Sequence, residues 1–249
     1  MDHIRIENER DGAVRVITID RPDKRNALSG EMFQQLIEAF RVEPPREERV
    51  TLLRSEGHVF CSGIDLNERL VYGAPPLDEL CIAIEEYSLP VVARMQGDAI
   101  AGGAFLALFC DFVVAAKEAR FWVSLVQIGL APPWPLTRKL VELAPLALAK
   151  RLVLLGDPMP ASALAEADAI AAAVAPEELD AEVERVVERL ATNAPLSLRA
   201  IKATLSAKGY VEAPHEHVLE LIAAARDSED GREGVQARLE RRMPQYAGR

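Results

Sequence analysis

Two short stretches carry residue types suited to chemistry on a carbonyl oxygen. In "QGDAIAGGAFLALFCDFVV", residues 96–114, the pair Gly102-Gly103 precedes an almost unbroken apolar run. The segment before it, "VVARMQG", reads as a strand, and the apolar run reads as a buried helix beginning near Gly102. The first N–H groups of a helix have no partner inside the helix. Glycine lets a ligand come close to that backbone. An oxyanion hole requires this: donors aimed at an oxygen that gains charge. Taken alone, a Gly-Gly pair at a helix start serves tight strand–helix packing equally well. A second turn, "HVFCSGIDLNE", also runs from a strand into a helix, with Ser62-Gly63 at its bend. Two such turns could each supply one N–H to a single oxygen.

Other residue types narrow the chemistry. The three cysteines, Cys61, Cys81 and Cys110, are scattered and form neither a CxxC nor a disulfide framework, so free thiols in a reducing compartment are expected. The pair His215-x-His217 would put its rings on different faces of a helix, and no metal site is expected. The N-terminus is charged and lacks the apolar core of a signal peptide, and no apolar run is long enough to span a bilayer. A cytoplasmic protein without a membrane partner is expected. The net charge of −10 argues against nucleic acid as a partner, which would favour a basic surplus. Local basic clusters, "RPDKR" at 21–25 and "ARLERR" at 237–242, still leave room for an anionic ligand.

The elements that must position these turns follow from periodicity. "AVRVITIDR" alternates and is β-branched, a strand; "RVTLLRSEG" and "DFVVAA" are strands too, and "ARFWVS" is a short strand or loop. "SGEMFQQLIEAF" predicts a helix capped by Ser29, with Met32, Phe33, Leu36, Ile37 and Phe40 on its apolar face. "LDELCIAIEEYSLP" predicts a helix that stops before Pro90. Alternating strands and helices imply an α/β layered fold with parallel neighbours. From about Leu136 the chain turns Ala-, Leu- and Glu-rich with few strand signals, and 140–175 reads as helix packing. Two regions are expected: a core over residues 1–195 that carries the site, and a separable helical region over 196–249.

The stretches "DRPDKRNALSGEM", "FCSGIDL", "LPVVARMQGDAIAGGAFLALFCDFVVAA", "ARFWVSLVQIGLAP" and "SEDGREGVQARLERRMPQY" occur in the order and spacing of one family. The chain resembles the crotonase, or enoyl-CoA hydratase/isomerase, superfamily. The resemblance implies a spiral of repeated ββα units with a C-terminal helical region that serves trimerisation. It implies a homotrimer or dimer of trimers, and a CoA or acyl-carrier-protein thioester as substrate, with CoA part of the substrate and no separate cofactor. The enolate donors fall on the backbone N–H groups of Ile64 and Gly102, flanked by Ser62, Gly63 and Gly103. Losing one such donor costs about 2.7–4 kcal/mol in the transition state. Lys24 is the leading candidate to meet the CoA phosphates or cover the adenine, with Arg21 and Arg25 weaker and Ala27 nearby. Asp65 and Leu66 match positions whose backbone lies near the adenine, and Arg241 or Arg242 could close over the CoA of a neighbouring subunit.

The family's two catalytic glutamates fall on Phe105 and Leu125, which cannot move a proton. The usual glycine-rich stretch is replaced by "APPWPL", so Trp134 and its prolines are expected to reshape the acyl pocket. Asp98 is a speculative base, against a strand-end or capping role. Asp111 reads as structural, His58 as a surface residue, and Trp122 as packing. Ser124 could orient a water, and Glu68 and Arg69 could flank the acyl channel, although each has an ordinary structural reading. Enolate chemistry with little acid–base demand is therefore favoured: isomerisation or decarboxylation rather than standard hydration. The alternative is a thioester-binding or assembly subunit without turnover.

Overall fold

A computed structural model of the chain describes residues 3–73, 75–208, 223 and 226–244. His215 and His217 lie outside them. In chain order the strands are β1 (Ile4–Glu9), β2 (Val14–Ile19), β3 (Val50–Ser55), β4 (Val91–Met95), β5 (Ala99–Ile100), β6 (Phe112–Ala116), β7 (Arg120–Trp122), β8 (Met159–Pro160) and β9 (Ala172–Val174). One large sheet runs β1-β2-β3-β4-β6-β9. Its β1–β2 edge is antiparallel and its other pairs are parallel. Parallel sheets are covered on both faces, and every residue of β2 is accordingly buried. That includes Arg15 and Thr18, so alternation along β2 does not mark a wet face. The Arg15 guanidinium donates to the Ala39 carbonyl at 2.7 Å, lies 3.4 Å from the Glu48 carboxylate and sits over the Phe40 and Tyr87 rings.

The helices are α1 (Gly30–Arg41), α2 (Leu66–Tyr72), α3 (Leu77–Glu86), α4 (Gly102–Leu108), α5 (Trp134–Leu143), α6 (Leu146–Lys150), α7 (Ala161–Glu166), α8 (Leu179–Ala191), α9 (Pro195–Lys208) and α10 (Glu229–Glu240). α1 begins as its sequence requires: Ser29 Oγ accepts from the Met32 N–H at 3.2 Å, and Met32, Phe33, Leu36, Ile37 and Phe40 are buried. α3 ends before Pro90, and all of α4 is buried. α3 and α5 are joined by an enclosed charge cluster. Glu85 accepts from Arg138 at 2.9 Å and from Lys139 at 2.8 Å.

The second sheet explains the shape. Its ordered strands are β5-β7-β8, extended by single bridges Leu28↔Ile64 and Cys61↔Ala99. Each time the chain leaves the large sheet it lays a short extended piece against the piece laid before it. Residue 28 meets 64, 61 meets 99, 99 meets 121, and 121 meets 159. This stepwise pairing is the spiral of ββα units implied by the resemblance.

β1, for which no expectation was stated, holds the antiparallel edge. Two expectations are corrected. Within the Ala-rich stretch, Ala172–Val174 is a strand, because β6 offers it an open parallel edge; tertiary pairing overrides alanine's helix propensity. The C-terminal helices also do not stand apart. Lys202 of α9 is buried and donates to the Leu89 carbonyl at 3.0 Å and to Asp111 at 2.7 Å. α10 packs on the 3-10 turn Ser124–Ile128 backbone to backbone: a Cβ added to Gly234 would lie 1.9 Å from the Ile128 carbonyl oxygen. Among the described residues, no helix is long and apolar enough to cross a membrane.

Candidate active site

The spiral brings the two turns of interest into contact. Leu28 N–H donates to the Gly63 carbonyl at 2.8 Å, and Asp65 N–H donates to the Leu28 carbonyl at 2.9 Å. Ile100 N–H donates to the Cys61 carbonyl at 2.8 Å. These bonds hold Gly63 against Gly102 so closely that a Cβ on Gly63 would lie 2.9 Å from the Gly102 nitrogen. Gly63 also has φ +86, a conformation that glycine adopts without strain. Gly103 packs equally tightly, with 2.1 Å between its would-be Cβ and the Cys61 carbonyl oxygen. Between the glycines and β5, Ala101 has φ 49, an unfavourable region for a residue with a Cβ, costing about 1–3 kcal/mol. Its N–H donates to the Trp122 carbonyl at 2.7 Å, which pins that conformation. Among the described residues, neither the Ile64 nor the Gly102 N–H donates to a protein acceptor. The turns thus bring together two neighbouring backbone donors without partners.

Two of the three cavities that Ile64 borders bear on the turns. One, of about 250 Å³, is lined by Lys24, Arg25, Ala27, Ser62, Asp65, Leu66, Trp122 and Arg238 besides Ile64. Arg238 stacks over the Trp122 ring at 5.4 Å. Asp65 caps α2 by accepting from the Asn67 N–H at 3.0 Å and pairs with Arg21 at 3.0 Å. Arg21 is thereby removed from the candidates for an anionic ligand. Arg25, Arg238, Arg241 and Arg242 border a further hollow beside Trp122. Arg242 is paired with Glu233 and Glu240.

The other cavity, of about 510 Å³, is walled by Leu77, Leu125, Leu130, Pro133 and Trp134, with Arg69, Asp78 and Arg226 as its charged members. The "APPWPL" segment forms this wall, as expected. Leu125 lines the cavity, whereas Phe105 is wholly buried in the core. Neither position offers a proton.

Asp98 requires a correction. Its carboxylate accepts from the Arg120 N–H at 2.9 Å and from that guanidinium at 2.5 Å. It locks the start of β5 to β7 and lines none of the cavities at Ile64. Glu68 accepts from the Gly30 N–H at 2.8 Å and, with Arg69 and Ile64, lines a neighbouring cavity of about 380 Å³. Asp111 accepts from the Val91 N–H at 2.7 Å, and His58 is exposed. Ser124 is buried at the start of its 3-10 turn, and the Trp122 indole donates to the Gly156 carbonyl at 2.6 Å. Cys61 lies beneath the turns, and burial pushes its thiol up to about 12; it is no acid or nucleophile at neutral pH. Asp78 was missed by sequence reasoning. It is an exposed residue in the first turn of α3, where acidic residues are ordinary, and its sequence context gave no signal.

The family model described as enoyl-CoA hydratase/isomerase matches residues 9–249. The chain is 32% identical over 250 residues to 1,2-epoxyphenylacetyl-CoA isomerase of Escherichia coli (strain K12), covering 95% of each. It superimposes on an enoyl-CoA hydratase/isomerase from Pseudoalteromonas atlantica T6c with a TM-score of 0.85 and 28% identity, covering 99% of this chain and 100% of that one. It shares its fold with methylmalonyl-CoA decarboxylase, with a TM-score of 0.90 at 24% identity over 100% of this chain and 99% of the other.

Proposed function

The chain belongs to the enoyl-CoA hydratase/isomerase family, whose members act on acyl-CoA thioesters, and from this premise we infer that it is an enzyme that stabilises a thioester enolate. The observation that carries the reading is the contact between Gly63 and Gly102, with the Ile64 and Gly102 N–H groups beside it unpartnered among the described residues. The thioester carbonyl accepts from both donors, so they strengthen as the oxygen gains charge. The basic residues Lys24, Arg25 and Arg238 on one side of Ile64 suit the CoA phosphates, and Asp65 and Leu66 on the same cavity suit the adenine. The apolar cavity on the other side suits the acyl group.

Phe105, Leu125 and the locked Asp98 speak against two-carboxylate hydration. Isomerisation or decarboxylation fits better. In decarboxylation the C–C bond to the carboxylate breaks, CO₂ leaves, and the electron pair becomes the enolate. A proton from water then returns to carbon, and no side-chain base is required. The same reading includes a homotrimer or dimer of trimers, tested by light scattering. It also includes a cytoplasmic site of action, argued from three buried free thiols.

The test is mass spectrometry of 2-enoyl-, 3-enoyl- and malonyl-type CoA esters incubated with the protein. Product formation that falls at least about 100-fold in Gly102→Val supports the reading, the size expected when an oxyanion donor is lost. Product formed equally by Gly102→Val refutes the backbone assignment. Thioester binding without any product favours the second reading, a non-catalytic binding subunit, which the missing carboxylates also suit.

A further inference from the structure

Arg69 stands out among the enclosed cations. Arg15, Arg21 and Arg138 each face a carboxylate, at 3.4, 3.0 and 2.9 Å. Arg69 is half-buried on α2, yet among the described residues its guanidinium makes no hydrogen bond or ion pair. An enclosed charge without a partner is costly. Burial first, and Arg226 second, hold its pKa below the usual arginine value, with Asp227 opposing them. Asp227 does not pair with Arg69, because that carboxylate is engaged by Arg226 at 2.7 Å. Asp78 borders the same cavity but is exposed and forms no ion pair with Arg69.

The surroundings say what would complete the site. Arg69 lines the 510 Å³ cavity and also a neighbouring one of about 380 Å³, and Ile64 borders both. A ligand held at Ile64 therefore extends its acyl part past Arg69. Most of the larger cavity's wall is apolar, so a neutral acyl chain would cover the guanidinium further and, among the described residues, leave it unpaired. We propose that the acyl group carries a second carboxylate and that Arg69 receives it, making Arg69 the residue that selects carboxyacyl over neutral acyl thioesters. A planar guanidinium matches a carboxylate through two parallel bonds. The proposal rests on the thioester reading above and adds the substrate class to it. The carboxylate can be attached next to the thioester carbonyl or at the far end of the chain; the chemistry at Arg69 is the same.

The experiment compares isosteric pairs in which a methyl replaces the carboxylate. Methylmalonyl-CoA is set against isobutyryl-CoA, and glutaryl-CoA against pentanoyl-CoA, by titration calorimetry with the composition checked by mass spectrometry. In the wild type, the carboxylated member of at least one pair should bind about tenfold or more tightly. In Arg69→Met that ratio should fall to about one, and Arg69→Lys should restore part of it. The pair showing the preference reports where the carboxylate is attached. Equal affinities within both pairs in the wild type overturn the proposal while leaving the thioester reading intact. A preference that survives Arg69→Met overturns the role of Arg69. If none of the four thioesters binds, the thioester reading itself fails, and the proposal falls with it.

Discussion

A single methyl group decides whether the two backbone donors can coexist. Gly63→Ala would place a carbon 2.9 Å from the Gly102 nitrogen at a φ of +86, so the turn must shift. Turnover should fall at least about 100-fold, as for a lost oxyanion donor, in steady-state kinetics. Asp98→Asn should do the opposite of what a base predicts. Its partner Arg120 is half exposed, so stability should drop by about 1 kcal/mol or less in urea, with the pH profile of turnover unchanged. The buried thiols give a pH signature. Burial pushes the Cys61 thiol up from its ordinary value of 9.0 to about 12. A raised folded value means that only the unfolded state ionises between the two, so stability is intact below about pH 9 and declines towards about 12. Cys81 and Cys110 are shifted the same way by burial and add to that slope. Chemical denaturation from pH 8 to 11 measures it, and a flat profile would count against the burial of these thiols. At this scale the sequence made the donors legible because they are backbone groups marked by glycine. It left Asp98 ambiguous because the answer, Arg120, lies 22 positions away. Arg69 was seen only as a channel flank, since a missing partner leaves no trace in a sequence.

Elements with strong periodicity were read correctly because their burial is local. The buried face of α1 matches its spacing residue by residue. β9 was misread because three small residues acquire their identity from β6, not from their own composition. The α3–α5 joint was likewise invisible, since its charges are spread over two helices. Glu85→Ala would leave Arg138 and Lys139 facing an enclosed, vacated position. Removing one member of a buried charge cluster costs about 3 kcal/mol, readable as a lower urea midpoint at constant slope. Because α3 also supplies Leu77, which would sit 3.2 Å from a Cβ on Gly102, acyl-CoA affinity should weaken as well.

Over the whole molecule, the spiral makes distant segments into neighbours. The second sheet is assembled from pieces of four successive passages of chain. Order and spacing of motifs along the sequence conveyed that arrangement; composition alone conveyed only an α/β protein. The helical region expected over 196–249 meets the core at described residues. α10 rests on the Ser124–Ile128 turn through Gly234, and that turn carries Leu125 into the acyl cavity. Gly234→Ala should lift the helix from its seat, costing about 1–3 kcal/mol as overpacking does. Differential scanning calorimetry would show it as a lower melting temperature.

The same helix carries Arg238 across the Trp122 ring, on the wall of the cavity assigned to CoA. One end of a bound nucleotide would therefore rest on a part of the chain held mainly by glycine contacts. Occupancy then becomes a fastener for the tail. A protease that clips the C-terminal helix should work quickly on the empty protein and slowly once CoA is present, so the survival of a single peptide bond would report whether the active site is filled.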